Sequence, residues 1–446
     1  MTSEWRGATV GDLCRTVFSG GTPTSTNPDY YGGLIPWLRT KEVNYGKIYA
    51  TEGHISQAGF ENSSAKFVPV NSVIVAMYGN GGTAGRVAIN KVPLTTNQAC
   101  CNLVVDASTA DYRFVYYYLK SRYQELVDLK NGGAQQNLNG RLIKNFPIAV
   151  PILATQAEIA DLLEALDDRI ALLRESNVTL EAIAQALFKS WFVDFDPVRA
   201  KSQGLAPAGM DEATAALFPD SFEELAAGLV PKGWECTDLA ELTKRFGGSI
   251  QTGPFGSQLH ASDYVESGVP VVMPKDIVNR RASTESVARI SDADADRLSR
   301  HKVQAGDIVF SRRGDVERHA LITEREVGWL CGTGCLLLRP GRQWKSPGFL
   351  SMLLDAPRAR TWLVQHAVGA TMPNLNTGIL GSVPVVLPSP SVLSAFEELV
   401  SLTEEQRSRN ASMAETLATL RDTLLPRLIS GQLRLPEVLV EMEEAA

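Results

Sequence analysis

The feature that most constrains this chain is that it contains a second, diverged copy of itself. Asn137-Leu138-Asn139 returns as Asn374-Leu375-Asn376, 237 residues later. The same offset carries Pro147 to Pro384 and Pro151 to Pro388, with Ile148-Ala149-Val150 falling on Val385-Val386-Leu387. Upstream, an offset of 234 carries Pro36 to Pro270, Lys41-Glu42-Val43 to Lys275-Asp276-Ile277, and Ile74-Val75 to Ile308-Val309. One small indel reconciles the two offsets, and the matches keep their order. An ordered self-similarity of this length is an internal duplication, so the fold has to be built from two related modules.

At roughly 100–200 residues per domain, 446 residues predict two to four domains. The 44% hydrophobic and 21% charged residues exclude a collagen-like chain, a rod along the whole length and wholesale disorder. No run of 18 apolar residues exists, and the start, with Glu4 and Asp12, lacks the apolar segment of a secretory signal. Six cysteines are too few for a disulfide scaffold, so a reducing cytoplasm is the expected compartment. The net charge of −7 argues at first against a nucleic-acid partner, but it averages over a pattern. Residues 1–150 carry +4, 151–230 carry −9, 231–390 carry +3 and 391–446 carry −5. Basic blocks alternate with acidic ones, which predicts two kinds of surface with different partners.

The basic blocks read as mixed α/β. Apolar and β-branched runs at 72–78, 86–90, 307–310 and 336–338 are bounded by Gly, Pro and Asn, a strand signature. The segments 113–129 and 349–364 read as helices.

The acidic blocks read as long helices. Thr155 with Glu158 forms a capping-box pattern. Beyond it, Ile159, Leu163, Leu166, Ile170, Leu173, Asn177, Leu180, Ala184, Leu187 and Trp191 keep a heptad seam from Gln156 to Val193, with no internal Pro or Gly. At 1.5 Å per residue this helix would be about 55–60 Å long. The second seam runs from near Ser391 through Phe396, Leu399, Thr403, Gln406, Asn410, Met413, Leu417, Leu420 and Leu424, with Pro426 kinking its end and Gly431 capping it. A long helix with one apolar stripe needs a partner along its length. Each seam is polar near its middle, so an antiparallel pair would let Asn177 meet Thr403, Gln406 and Asn410 and fix the register. The alternative is that each helix packs on its own α/β block.

These elements predict an α+β chain with the following divisions: a first mixed domain at 1–151, a helical region at 152–196, a Gly/Pro-rich linker with one short helix at 197–230, a second mixed domain at 231–389, a second helical region at 390–435 and an acidic tail at 436–446.

The search for catalytic chemistry returns little. No phosphate-cradling G-x-x-x-x-G-K-[ST] loop occurs. The Gly-rich run 79–85 follows a strand pattern but precedes another strand, where a nucleotide fingerprint needs a helix, so it reads as a turn. Cys331 and Cys335 have no second ligand pair nearby and read as buried strand thiols, as do Cys100 and Cys101. The five histidines show no metal-ligand spacing. Asp194 and Asp196 read as a helix-ending turn. No catalytic residue and no metal ligand is assigned.

The basic blocks carry the residue types that read nucleic acid. The candidates in the first are Arg39, Lys41, Asn80, Arg86, Gln135, Gln136, Asn137 and Asn139, with Arg141 and Lys144 as further cations. Those in the second are Lys275, Arg312, Arg313, Arg318, Asn374 and Asn376, beside Arg280 and Arg281. Arg reads guanine edges, Asn and Gln read adenine edges, and Lys and Arg neutralise phosphates. Any one of these charges reads equally well as ordinary solvated surface. Taken together, two sibling basic modules on a rigid spacer suit two separated half-sites on one duplex.

At this point the chain resembles the specificity subunit of type I restriction–modification systems. The residues that carry the resemblance are Ser19-Gly20-Gly21-Thr22-Pro23 with Gly33-Leu34-Ile35-Pro36-Trp37, the run from Asn137 to Ile148 leading into the long helix, and the ten residues from Phe188 to Pro197. Phe218-Pro219-Asp220-Ser221-Phe222, Pro231-Lys232-Gly233-Trp234 and the run from Leu424 to Gly431 add to it. The resemblance implies two target-recognition domains, each followed by a conserved helix, with the helices pairing as an antiparallel coiled coil in a pseudo-two-fold duplication. It implies a non-catalytic, cytoplasmic subunit that reads a bipartite, asymmetric double-stranded DNA target. Two adenine-N6 modification subunits would dock on the helices and restriction/translocase subunits would join them. S-adenosylmethionine, ATP and Mg²⁺ would be bound by those partners and no cofactor by this chain. One departure is Gln251-Thr252-Gly253-Pro254-Phe255-Gly256-Ser257 in place of the Gly-Gly-Thr-Pro run, so the two domains are diverged and unlike half-sites are expected. A stand-alone DNA-modifying enzyme or nuclease with unfamiliar motifs, and a helical scaffold that binds only protein, are the competing readings.

Overall fold

The computed structural model describes residues 5–79, 82–129, 137–225, 228–255, 258–284, 287–369 and 371–435. Two compact units form: Met1–Glu175 with Asn410–Ala446, and Ser176–Arg409. The two long helices, Leu153–Phe192 and Pro390–Ile429, each contribute one part to each unit.

In the first unit, Arg6–Thr9 pairs antiparallel with Pro147–Val150, so the chain enters and leaves its mixed domain on one ribbon. A five-stranded sheet follows the order Cys14–Ser19, Cys100–Val105, Val73–Ala76, Val87–Asn90, Lys47–Ile48. A four-stranded sheet follows the order Gly53–Ile55, Tyr31–Leu38, Leu94–Thr96, Phe67–Val68. The strands 73–76 and 87–90 are buried throughout, because strand side chains alternate and both faces are covered. Val73, Val75, Val87 and Ile89 pack with Phe114, Val115 and Leu119, while Ile74, Ala76 and Ala88 pack with Leu38 and Leu94.

The second unit repeats the central strands of this order. Glu235–Asp238 pairs with Pro384–Leu387, and one sheet runs Ser249–Thr252, Cys335–Arg339, Ile308–Ser311, His319–Leu321. A second runs Tyr264–Val265, Ala288–Ile290, Val269–Val272, Leu330–Cys331. The duplication inferred from offsets is therefore a duplication of topology.

The Gly-Gly-Thr-Pro run and its diverged counterpart do the same packing task. A Cβ on Gly20 would sit 2.2 Å from the Thr96 carbonyl oxygen, and one on Gly253 would sit 2.1 Å from that of Gly332. Gly20 N donates to Cys100 O, Gly253 N donates to Cys335 O, and Trp37 Nε1 donates to Gly21 O at 3.0 Å. Close backbone approach, which glycine alone permits, survives the divergence of the surrounding letters.

Several boundaries differ from expectation. The helix predicted at 113–129 is two, Tyr112–Ser121 and Tyr123–Asp128. The one at 349–364 is Pro347–Asp355 and Pro357–His366, because Pro357 forces Ala356 out of the helical region to φ −61, ψ 144. The first long helix starts at Leu153, so Thr155 and Glu158 lie inside it and form no capping box. Gln156 instead donates to Pro151 O and accepts from Asp111 N. Pro426 is accommodated within the last turn of the second helix, and Gly431 follows at φ 74.

The segment 197–230, read as a linker, is folded. It contains helices Asp196–Ser202 and Glu212–Ala216 and a hairpin of Phe222–Leu225 with Gly228–Pro231. Its Phe218 packs edge-on against Trp191 at 5.0 Å, and Phe195 lies 5.7 Å from Trp234. Apolar anchors outweigh a turn-rich composition here. These rings join a cluster in which Phe192 meets Phe349 at 4.9 Å and Phe396 at 4.8 Å, which is what the aromatic run Phe188 to Phe195 is for structurally.

The long helices pair antiparallel within both units. In the first, Asp167 meets Arg421 and Ile170 and Leu173 pack with Ala414 and Leu417. In the second, Asn177 Nδ2 donates to Arg407 O at 3.0 Å, while Phe188 and Trp191 pack on Phe396. The predicted positions Ile159, Leu163, Leu166, Ile170, Leu173, Trp191, Phe396, Asn410 and Leu424 are buried, and Leu180, Leu187, Leu417 and Leu420 half-buried. Three positions are corrected: Leu399, Gln406 and Met413 face outward, and Val400, Arg407 and Ala414 take their places. The seven-residue repeat through 396, 403, 410, 417 and 424 holds, but the alternate seam residue lies four positions on rather than three. Two of those positions, Arg407 and Arg421, are charged, and an apolar pattern search passes over them.

Candidate functional site

The strands of the second unit end in a small paired finger. Strand Ile308–Ser311 runs out into Arg312-Arg313-Gly314, where Arg313 bridges Asn374, and Asn374 bridges Val368 in turn. Gly314 N donates to Pro373 O at 3.0 Å, Leu375 N donates to Arg312 O, and Arg312 Nε returns a bond to Leu375 O at 3.2 Å. Arg312 is thus half-buried and holds backbone together, while Arg313 is exposed. Arg318 donates to Ile277 O and pairs with Asp315 at 3.2 Å. Lys275 lies exposed on the 3-10 turn Pro274–Asp276. Of the candidates here, Arg312, Arg313 and Asn374 come together and Arg318 serves the turn beside them.

Asn376 has a different occupation. Its Oδ1 accepts from Ile379 N at 2.8 Å and caps the helix Thr377–Gly381. Asn139 does the same for Gly140–Lys144, accepting from Leu142 N at 3.0 Å, and the leucines between the paired asparagines, Leu138 and Leu375, are buried. The duplicated Asn-Leu-Asn is at its third residue a helix start, a signal available in sequence from the N-cap preference of Asn ahead of a short apolar run.

In the first unit, Arg39 and Lys41 converge on Glu52, with Arg39 at 3.4 Å, and Arg86 Nη1 donates to Asn44 Oδ1 at 2.6 Å. These three cations share one surface segment, 39–44. Asn137 is exposed on the approach to the capped helix. Asn80, Gln135 and Gln136 lie outside the described residues, as does the acidic tail 436–446. The run at 79–85 connects the antiparallel strands Val73–Ala76 and Val87–Asn90, as a turn should.

Sequence reading missed the charged anchors between each mixed domain and the helices. In the first unit, Lys47 reaches Glu164 at 2.8 Å and Asp168 at 2.7 Å, and Arg113 reaches Asp161 at 2.5 Å and Glu164 at 2.8 Å. Lys120 and Tyr117 both meet Asp167, where Arg421 arrives from the other helix. In the second unit, the hairpin Ile277–Val278/Arg281–Ala282 turns through Asn279 at φ 48 and Arg280 at φ 60. That turn buries Arg280 against Glu181 and Ser351. Arg281 meets Glu404, and Arg407 bonds both Glu181 and Glu404. Burial and its arginine neighbours lower Arg281 to about 10, and burial holds His319 down to about 3, neutral at every ordinary pH. The acids Asp167 and Glu404 are separated by the repeat offset. The signal for this anchor was the left-handed turn beside a cation: Tyr45-Gly46 before Lys47, and Asn279-Arg280 before Arg281.

A further helix-to-domain contact belongs to the second unit alone. Glu397 accepts from Gly348 N at 3.0 Å and from Phe349 N at 3.3 Å, capping the helix Pro347–Asp355. Burial pushes its carboxyl up to about 7 against the downward pull of those two amides.

Cys331 and Cys335 are buried in strands, and Cys100 and Cys101 likewise. No helix among the described residues is long and apolar enough to cross a membrane.

Comparison with known proteins joins these observations. The family model for the type I restriction modification DNA specificity domain matches residues 2–182. The MjaIX specificity subunit of Methanocaldococcus jannaschii is 26% identical over 443 residues, covering 98% of this chain and 95% of that protein. The HindI specificity subunit of Haemophilus influenzae is 28% identical over 352 residues, covering 70% of this chain and 74% of its own length. The crystal structure of a type I restriction–modification S subunit from M. genitalium superposes with a TM-score of 0.59 at 18% identity, covering 96% of both chains, and so shares the fold. The matched residues 2–182 thus fit a type I restriction modification DNA specificity domain, and over nearly its whole length the chain is similar to type I specificity subunits and shares the S-subunit fold.

Proposed function

We propose that this chain is the DNA sequence-recognition subunit of a type I restriction–modification complex, reading a two-part asymmetric duplex target with its two mixed domains. The observation that carries this is the duplicated domain: one central strand order built twice, each copy anchored by ion pairs to the antiparallel long helices, with different side chains at corresponding loops. Equal topology with unequal loops suits one recognition mode applied to two unlike half-sites. The outward faces of the helices carry apolar residues that the chain itself leaves uncovered, Val178, Ile183, Leu399 and Leu402 in the second unit and Leu172 and Met413 in the first. Such surface favours protein partners, two adenine-N6 modification subunits first and restriction subunits with them. In this reading S-adenosylmethionine, ATP and Mg²⁺ are bound by those partners, the chain itself contributes no catalysis, and the complex works in the cytoplasm.

The test is reconstitution. Methylome sequencing of cells carrying the chain with its modification partner should show one bipartite adenine-methylated motif, and duplex affinity of the complex should fall steeply with salt. DNA cleavage or methylation by the purified chain alone, with Mg²⁺ and S-adenosylmethionine, would make it an enzyme. Affinity that ignores salt would leave only a scaffold.

A further inference from the structure

Resting on the DNA-recognition reading, we infer that the finger formed by Arg313, Val368 and the segment Met372-Pro373-Asn374 is the base-reading element of the second domain, with Arg313 contacting a guanine and Met372 the methyl group of a neighbouring thymine.

The arginines around this finger divide sharply by occupation. Arg312 is committed to the Leu375 carbonyl, Arg318 to Ile277 O and Asp315, and Arg280 and Arg281 to the helix acids Glu181 and Glu404. Arg313 has no hydrogen bond or ion pair for its guanidinium among the described residues, yet its backbone is held by the bridge to Asn374. The anchored backbone fixes where this side chain starts from, and an unpaired guanidinium fork matches guanine O6 and N7 in the major groove. The one acid in the same turn, Asp315, is already neutralised by Arg318.

The second observation is apolar. Met372 is 62% exposed and Val368 64% exposed, and Val368 and Asn374 are held together by mutual backbone bonds. Pro373, between Met372 and Asn374, receives the amide of Gly314, which ties this segment directly to the Arg313 turn. Exposed apolar side chains beside an unpaired cation are poorly suited to water. They fit the major groove, where the thymine methyl is the apolar mark and a two-stranded ribbon has room to enter.

The experiment uses the complex with its modification subunits and duplexes carrying the motif found by methylome sequencing. Each guanine of the motif is replaced in turn by 7-deazaguanine, which lacks N7, and each thymine by deoxyuridine, which lacks the methyl group. The wild-type complex should lose roughly tenfold to a hundredfold in affinity at one guanine, and a smaller factor at one thymine beside it, both in the same half-site. Arg313→Ala should be insensitive to that 7-deazaguanine, and Met372→Ala to that deoxyuridine, while the other half-site responds as before. Both residues are exposed, so these variants should fold, and unchanged response at the other half-site confirms it. Equal loss on every sequence for Arg313→Ala would make it a phosphate contact and overturn the inference, as would base substitutions that cost wild type and variants alike. A wild-type complex without salt-dependent duplex affinity would instead overturn the DNA-recognition reading beneath it.

Discussion

Arg421 on the second long helix donates to Asp167 on the first at 2.6 Å, and the same carboxylate takes Lys120 and Tyr117 from the mixed domain. One half-buried acid therefore joins both helices and a domain. Asp167→Ala would leave two cations and a phenol without their acceptor, and removing one partner of a poorly solvated pair costs more than the pair itself contributes. The expected loss is about 2 kcal/mol in denaturant unfolding. A double variant with Arg421→Leu should recover part of it, and additive losses would show that the two residues are not coupled.

Glu397 gives stability a pH dependence. Its folded carboxyl sits at about 7 against an ordinary 4.5, so between these values the folded state binds more protons than the unfolded one. Its contribution is full below about 4.5 and is lost as pH rises through 7, amounting to on the order of 3 kcal/mol. Glu397→Gln keeps an acceptor for Gly348 and Phe349 and removes the charge. Unfolding measured from pH 5 to 8 should then be flatter than in the wild type, with the variant the more stable at pH 8; parallel curves would refute the assignment.

Phe396 is fully buried and packs on Phe188, Trp191, Phe192 and Phe349. Phe396→Ala should destabilise by about 3–5 kcal/mol and Phe396→Leu by clearly less. Limited proteolysis should cut first within 196–235, whose Phe218, Phe222 and Trp234 belong to the same cluster.

Gly20→Ala and Gly253→Ala place a methyl group against carbonyl oxygens 2.2 and 2.1 Å away. Each should cost about 2–3 kcal/mol, because backbone has to move. In duplex binding each should impair one half-site and spare the other. Loss at both from either variant would mean that the domains do not read independently.

A matched seven-residue insertion in both long helices keeps the heptad seam in register while adding about 10 Å of helix. If the helices set the gap between half-targets, the methylated motif should acquire a spacer about three base pairs longer. A motif with its original spacer would remove the helices from that role.

The duplication was legible because its marks are local chemistry: a helix-capping asparagine and the prolines flanking an edge strand keep their identity when surfaces diverge. The helices were legible because a seven-residue apolar repeat over some forty residues has few other meanings. The seam's phase was not. Arg407 and Arg421 sit in it because acids from the facing helix reach them, and a partner hundreds of residues away leaves no mark in local periodicity.

For the recognition surface, sequence alone determined the residue types and their rough neighbourhoods, since Arg, Lys, Asn and Gln announce their hydrogen-bonding capacity wherever they stand. Which of them remain available was decided only by tertiary structure. Arg312 and Arg313 are adjacent and chemically identical, yet one is committed to the Leu375 carbonyl and the other faces solvent. Asn376 is two residues from Asn374 and is committed to a helix amide. A side chain's partners depend on what the folded chain brings within about 3 Å of it, and that distance is set by the packing of strands and loops far apart in sequence.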